Sequence, residues 1–209
     1  MLDKQKTNAS FIGFAGNIGV GKTTFTKLLS KNLQWTPYFE SVTDNPYLND
    51  FYNDMERWGF NLQIYFLHKR FQMHQKMSRS SIGVIQDRTI YEDKEIFARN
   101  LYQLEKLSSR DWDNYCGLFS VMTSYLKKPD LIIYLRAETD TLLSRIKSRD
   151  RDYEKSIDPD YVQTLNLSYD RWIQSITDET VITIQTDDFN IFEDTGKFEE
   201  IKTEILERL

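Results

Sequence analysis

Phe11-Ile12-Gly13-Phe14-Ala15-Gly16-Asn17-Ile18-Gly19-Val20-Gly21-Lys22-Thr23-Thr24 decides the fold of this chain. Phe11 to Ala15 is a short apolar run and reads as a buried strand. Gly16, Gly19 and Gly21 let the backbone turn tightly and present its N–H groups. Thr24 to Leu33 then carries Phe25, Leu28 and Leu29 at helical spacing. The G-x4-G-K-T spacing between a strand and a helix is that of a phosphate-binding P-loop. The positive helix N-terminus faces phosphate, Lys22 reaches the β- and γ-phosphates, and Thr23 ligates Mg²⁺. The expected contacts to a nucleoside triphosphate are therefore Gly16, Asn17, Ile18, Gly19, Val20, Gly21, Lys22, Thr23 and Thr24.

Outward from this segment, strands alternate with helices. Thr36–Phe39, Ile82–Gln86, Leu131–Leu135 and Val181–Gln185 read as further strands. Asn45-Pro46 is expected to open a helix, with an interruption at Gly59, followed by a buried stripe of Phe60, Ile64, Leu67 and Phe71. Asp93–Leu107 reads as helical. A helix capped by Ser108 and Asp111 is expected to run to Lys128 and stop at Pro129. Thr139–Arg149, a segment starting at Asp158-Pro159 with Tyr161, Leu165, Tyr169 and Trp172 on one flank, and the C-terminal stretch from Thr195 complete the helices. The alternation predicts an α/β fold with five parallel strands flanked by helices.

Ligands of such sheets bind beyond the carboxyl ends of the strands, so polar residues there are the candidates. Asp87 ends the third strand and could help hold Mg²⁺. Arg88 follows, where a guanidinium could face a transferring phosphoryl group; the pair also fits a surface turn. Glu40 ends the second strand, expected beside the first. It fits either a base for an attacking hydroxyl or a solvated carboxylate. Arg145 and Arg149, one helical turn apart, with Arg151 beyond, fit a phosphate-closing lid or a charged face. Gln63, Phe66, Arg70 and Met73 form a second helical stripe with the make-up of a pocket wall, or of a half-exposed face.

The bulk properties exclude other classes. At 209 residues the chain suits one domain over residues 10–209 behind a loose polar tail, residues 1–9. A net charge of -5 argues against a nucleic-acid partner. The one cysteine, Cys116, permits no disulfide within the chain and reads as a small buried residue. Neither a signal peptide nor a membrane-length apolar stretch is evident, so a cytoplasmic location is expected. His68 and His74 have no metal-ligand spacing and read as structural. No guanine-reading Asn/Thr-Lys-x-Asp segment accompanies the P-loop, which lowers a GTPase reading.

Taken in order, Gly16–Thr23, Glu40-Ser41-Val42, Tyr52…Glu56-Arg57-Trp58…Gln63, Arg70, Asp87-Arg88-Thr89-Ile90-Tyr91-Glu92-Asp93 and Arg145…Arg149-Asp150-Arg151-Asp152-Tyr153-Glu154 resemble the deoxyribonucleoside kinase family, in particular its bacterial deoxyadenosine and deoxyguanosine kinase branch. The resemblance implies a P-loop kinase fold with an Arg-rich lid, and transfer of the ATP γ-phosphoryl group to a deoxyribonucleoside 5′-hydroxyl. It implies catalytic roles for Glu40, Arg88 and Lys22, with Glu40 as the base. It further implies a 3′-hydroxyl pair of Tyr52 and Glu154, and nucleobase readers Gln63, Arg70 and Asp93 beside Phe66. Arg145, Arg149 and Arg151 would clamp the donor phosphates, and Asp187-Asp188-Phe189 would lie beside the donor adenine. It suggests a homodimer and deoxyadenosine as first acceptor, ahead of deoxyguanosine or deoxycytidine. Asp87 stands where several animal members carry Glu, and Asp150 where Gly is frequent. The rival readings are a thymidylate-like monophosphate kinase and a non-catalytic nucleotide-binding subunit.

Overall fold

The computed structural model describes residues 9–40, 45–189, 191 and 193–209; residues 1–8 of the expected tail and Ser41-Val42 fall outside these. Strand β1 (Phe11–Ala15) is buried along its whole length, as a strand covered on both faces must be. It lies at the centre of a five-stranded parallel sheet with β2 (Thr36–Tyr38), β3 (Val84–Asp87), β4 (Leu131–Arg136) and β5 (Thr180–Gln185). The spatial order is β2-β3-β1-β4-β5. Pro37 is accommodated because β2 is an edge strand and pairs only with β3. Glu40 therefore does not stand beside the first strand. Strand β3 lies between, and this puts Asp87 and Arg88 between the phosphate loop and Glu40.

Helix α1 (Lys22–Leu33) follows the loop and buries Phe25 and Leu29 against β1 and β3. A short α2 (Leu48–Asn53) precedes the long α3 (Met55–Met77). Asn45 does not cap a helix: its side chain accepts from the Tyr47 N–H at 3.0 Å, and the helix begins beyond Pro46. Gly59 does not interrupt α3. The break falls at Asp54, whose carboxylate caps α3 by accepting from the Arg57 N–H at 3.0 Å. A Cβ at Gly59 would touch Leu101 and the Lys106 carbonyl at 3.5 Å, so the glycine permits close packing instead. Of the expected core stripe only Leu67 is fully buried, whereas Gln63 and Arg70 on the neighbouring stripe are each 2% exposed. The polar stripe is the one turned inward.

The expected Asp93–Leu107 helix starts earlier and ends sooner: it runs unbroken through α4 (Ile90–Glu92), a π-helical turn over Asp93–Ala98, and α5 (Arg99–Gln103). Helix α6 (Ser109–Thr123) starts at the expected Ser108 cap but ends at Thr123, well before Lys128. Cys116 on α6 is only half-buried. Helices α7 (Thr139–Arg149), α8 (Pro159–Ser175) and α9 (Thr195–Glu207) complete the layers, with a 3₁₀ turn at Asp152–Glu154. Asp150 adopts φ 46°, ψ 48° at the end of α7. It takes the left-handed position in which glycine is the common occupant.

Candidate active site

The carboxyl ends of β1, β2 and β3 open onto a cavity of about 830 Å³. The P-loop forms its floor on one side. Gly16 is required there by space as well as by φ 145°, since a Cβ would lie 2.6 Å from the Leu135 carbonyl oxygen. Ile18 to Thr24 line the cavity, but Gly16 and Asn17 do not. The Asn17 side chain is turned into the protein, donating to the Val162 carbonyl at 2.9 Å and accepting from the Ile18 N–H at 2.8 Å. It fastens the loop to α8. Lys22 Nζ donates to the Gly16 and Asn17 carbonyls at 2.7 and 3.0 Å. Burial, with Arg88 nearby, lowers its pKa to about 7 against the opposing pull of Asp87, Glu92 and Glu40.

Thr23 Oγ1 donates to Asp87 Oδ2 at 2.5 Å. Among the described residues no three His, Cys, Asp or Glu side chains converge as a metal cage. The Thr23–Asp87 pair offers two hard oxygens at the loop. Such a donor set fits Mg²⁺, which keeps water and phosphate oxygens as its other ligands.

Opposite the loop lies a buried charge cluster. Arg70 Nη2 donates to Glu40 Oε1 at 2.5 Å and Nε donates to Asp93 Oδ2 at 2.6 Å. Its third contact is to the Arg88 carbonyl at 3.3 Å. Burial pushes the Glu40 carboxyl up, but Arg88 and Arg70 together outweigh it and bring the pKa down to about 2. For Asp93 burial wins over Arg70, and the pKa rises to about 6. The difference follows from the number of cations: Glu40 faces two guanidinium groups, whereas Asp93 is gripped by Arg70 alone. Phe66 lies under the Arg70 guanidinium at 5.5 Å. The Gln63 Oε1 is buried and has no hydrogen-bond partner among the described residues.

Tyr52 and Glu154 both line the cavity, and burial followed by the charges of Tyr161 and Glu154 raises the Tyr52 phenol. Glu154 is held by Arg149, which donates to its two oxygens at 2.6 and 2.5 Å. Arg151 Nη1 lies 3.7 Å away from the same carboxylate. Arg145 donates to Thr186 through both its hydroxyl and its carbonyl, at 3.0 and 2.5 Å. Asp187 accepts from the Glu138 N–H, the Thr141 hydroxyl and the Gln185 amide. It therefore ties β5 to the start of α7, while Asp188 and Phe189 also line the cavity.

The site residues expected from the sequence are thus brought to one cavity, with Gly16 and Asn17 set behind it, but Met73 of the pocket-wall stripe is not: it packs beside Phe11, Met77 and Val84. Phe97, Tyr161 and Thr186 also line it and carry no functional signal of their own in the sequence. Glu92 escapes a reading of the sequence as well, although Thr89-x-x-Glu92 has the spacing of a capping box and could have pointed to it.

A sequence model of the family described as Deoxynucleoside kinase matches residues 12–209. The chain belongs to the deoxynucleoside kinase family. It is 43% identical over 176 residues to a deoxyadenosine kinase of Dictyostelium discoideum, covering 84% of this chain and 71% of that one. It is 38% identical over 198 residues to a deoxyadenosine/deoxycytidine kinase of Bacillus subtilis, covering 94% and 91% respectively. Among solved structures, a deoxyadenosine kinase from M. mycoides, with the products dCMP and a flexible dCDP bound, superposes with a TM-score of 0.84. That match has 30% identity and covers 94% of this chain and 99% of the other. The chain is accordingly a deoxyribonucleoside kinase, which phosphorylates the 5′-hydroxyl of its acceptor at the expense of ATP. This membership favours nucleoside phosphorylation over the monophosphate-kinase and non-catalytic readings.

Proposed function

We propose that deoxyadenosine is the preferred acceptor, with deoxyguanosine and deoxycytidine behind it, and that Mg²⁺ accompanies ATP at Thr23 and Asp87. The observation that carries the reading is the Glu40–Arg70–Asp93 cluster, which faces the phosphate loop across Arg88 in one cavity. Glu40 is charged at neutral pH and accepts the 5′-hydroxyl as a hydrogen bond. With a pKa near 2 it is a weak proton acceptor, so its main contribution is to orient the oxygen. That suffices for phosphoryl transfer, in which the nucleophile needs little activation and positioning dominates. Arg88 stabilises charge on the phosphoryl group in flight, and Lys22 does so on the donor side.

Gln63, whose Oε1 has no hydrogen-bond partner among the described residues, lines the same cavity as Arg70 and Asp93, and its amide is suited to a two-bond contact with an adenine edge. Names of the relatives support the same preference. Tyr52 and Glu154 hold the 3′-hydroxyl, and Arg145, Arg149 and Arg151 close over the donor phosphates. The domain spans residues 10–209, and the enzyme works in the cytoplasm as a homodimer built on α3 and α6, where Leu118 and Val121 of α6, and Tyr125 just beyond its end, are exposed. The test is turnover of each of the four deoxynucleosides with Mg-ATP. A higher kcat/KM for deoxyadenosine than for the other three supports the preference; a higher value for any of the other three overturns it.

A further inference from the structure

Glu92 is fully buried and no part of the reaction described above uses it. Its carboxylate is nonetheless the point at which three parts of the site meet. Oε1 accepts from the Thr89 N–H at 2.8 Å, closing the capping box of α4. Oε2 accepts from the Tyr169 hydroxyl of α8 at 2.7 Å and from the Gly16 N–H, the first glycine of the phosphate loop, at 3.4 Å. The same oxygen stands 3.8 Å from Arg88 Nε.

Two features argue that this carboxylate does more than cap a three-residue helix. Arg88 has φ 69°, a left-handed backbone that a long side chain adopts only when its surroundings impose it. Here they do: Arg88 N–H donates to the Phe14 carbonyl at 3.1 Å, its carbonyl accepts from Arg70, and the next amide is held by Glu92. The second feature concerns the guanidinium, which is suspended between Glu92 and Glu40, each at 3.8 Å. Neither contact is a hydrogen bond, and Nε has no hydrogen-bond partner among the described residues. The Phe97 ring lies 4.4 Å from Arg88 Cζ, carried there by the π-helical turn that begins directly after Glu92. Arg88 is thus aimed by charge and by a ring face rather than by hydrogen bonds, and it lines the cavity. A glutamine could satisfy the capping box as well as a glutamate. The charge is what a cap does not require, and burial makes it unfavourable, raising the pKa against the pull of Arg88 and Lys22.

We propose that Glu92 is a positioning residue for phosphoryl transfer: one buried carboxylate fixes both the first glycine of the phosphate loop and the left-handed Arg88, and so sets the spacing between donor phosphates and the transfer centre. The inference rests on the role assigned to Arg88 above.

The experiment is a double-mutant cycle on the full chain with Glu92→Gln, Arg88→Lys and the pair, measuring kcat and both KM values with thermal melting alongside. Glutamine keeps the Thr89 bond through its one oxygen and meets the Tyr169 oxygen only with the direction reversed, its NH2 donating, while it loses the charge and the Gly16 contact. Expected are a kcat loss of roughly tenfold or more for Glu92→Gln, KM values within about threefold, and a double variant scarcely worse than Arg88→Lys alone. Unchanged kcat, or losses that multiply in the double variant, would overturn the proposal, since a merely structural cap acts independently of Arg88. If Arg88→Lys itself keeps full turnover, the Arg88 assignment fails and this inference fails with it. Should Glu92→Gln not fold, Tyr169→Phe decides. It frees Oε2 from one bond, and a kcat loss of about threefold at constant KM supports the proposal, whereas no change refutes it.

Discussion

Replacing Arg70 by Met should destabilise the protein strongly at pH 8 and by less at pH 5.5, where the Asp93 share of the loss fades and the Glu40 share remains. Arg70 is 2% exposed and bridges Glu40 and Asp93 at 2.5 and 2.6 Å. With charge centres about 4 Å apart and an effective dielectric near 20, each pair contributes about 4 kcal/mol of Coulomb energy. Removing the guanidinium also relieves its own desolvation, several kcal/mol, so the net loss expected for breaking such a buried cluster is about 3–5 kcal/mol. For a chain of 209 residues that corresponds to a fall in Tm of roughly 10 °C. The pH dependence identifies the cause. Asp93 already has a raised pKa of about 6, so its ionised form opposes folding above that value and the opposition vanishes as pH falls toward its ordinary range. Without Arg70 the pKa rises further, and at pH 5.5 Asp93 enters the fold protonated. The low-pKa Glu40 contributes stability that is fully present above its ordinary value of 4.5 and is lost only toward pH 2, so it stays out of this window. Urea unfolding at the two pH values measures the effect, and adding Asp93→Asn to the Arg70→Met variant should recover part of it. A loss below about 1 kcal/mol at pH 8, or the same loss at both pH values, would refute the reasoning.

Glu40→Gln should lower kcat roughly a hundredfold while leaving ATP affinity within about twofold; unchanged turnover removes Glu40 from the acceptor side. Because Lys22 has a lowered pKa of about 7, it is charged below that value and neutral above it. Binding ATP above pH 7 must therefore take up a proton, and Kd should weaken by up to about tenfold per pH unit between pH 7.5 and 9, checked by calorimetry in buffers of different ionisation enthalpy. A flat profile would contradict the burial of that ammonium. Gly16→Ala should lose more than about 2 kcal/mol of stability together with ATP binding, because its Cβ meets the Leu135 carbonyl at 2.6 Å and the backbone is left-handed. Melting and nucleotide titration report both.

The P-loop and the strand ends were legible because each follows from a local pattern: an apolar run, glycines at set intervals, a polar residue where the run stops. Sheet order was not legible in this way. Nothing in Thr36–Phe39 tells which neighbour it pairs with, yet the β2-β3-β1 order is what centres Arg88 between donor and acceptor. Helix ends were misplaced where tertiary packing overrode propensity, as at Gly59, which fits against Leu101 and leaves α3 intact. The polar stripe of α3 was ambiguous for the same reason: Arg70 is buried only because Asp93 and Glu40 arrive from distant segments to meet it. Glu92 stayed hidden because its partners Gly16 and Tyr169 are far away in sequence. The division of labour among acceptor residues came from family resemblance, since spacing alone does not distinguish a solvated Glu40 from one held by two guanidinium groups.

The most direct test of the two-sided site is the identity of the product. Incubation with Mg-ATP and deoxyadenosine, followed by mass spectrometry and ³¹P NMR, should yield deoxyadenosine 5′-monophosphate and ADP in equal amounts, and none with 2′,5′-dideoxyadenosine as acceptor. A 3′-monophosphate, product from the 5′-deoxy analogue, or phosphorylation only of a nucleoside monophosphate would contradict the account.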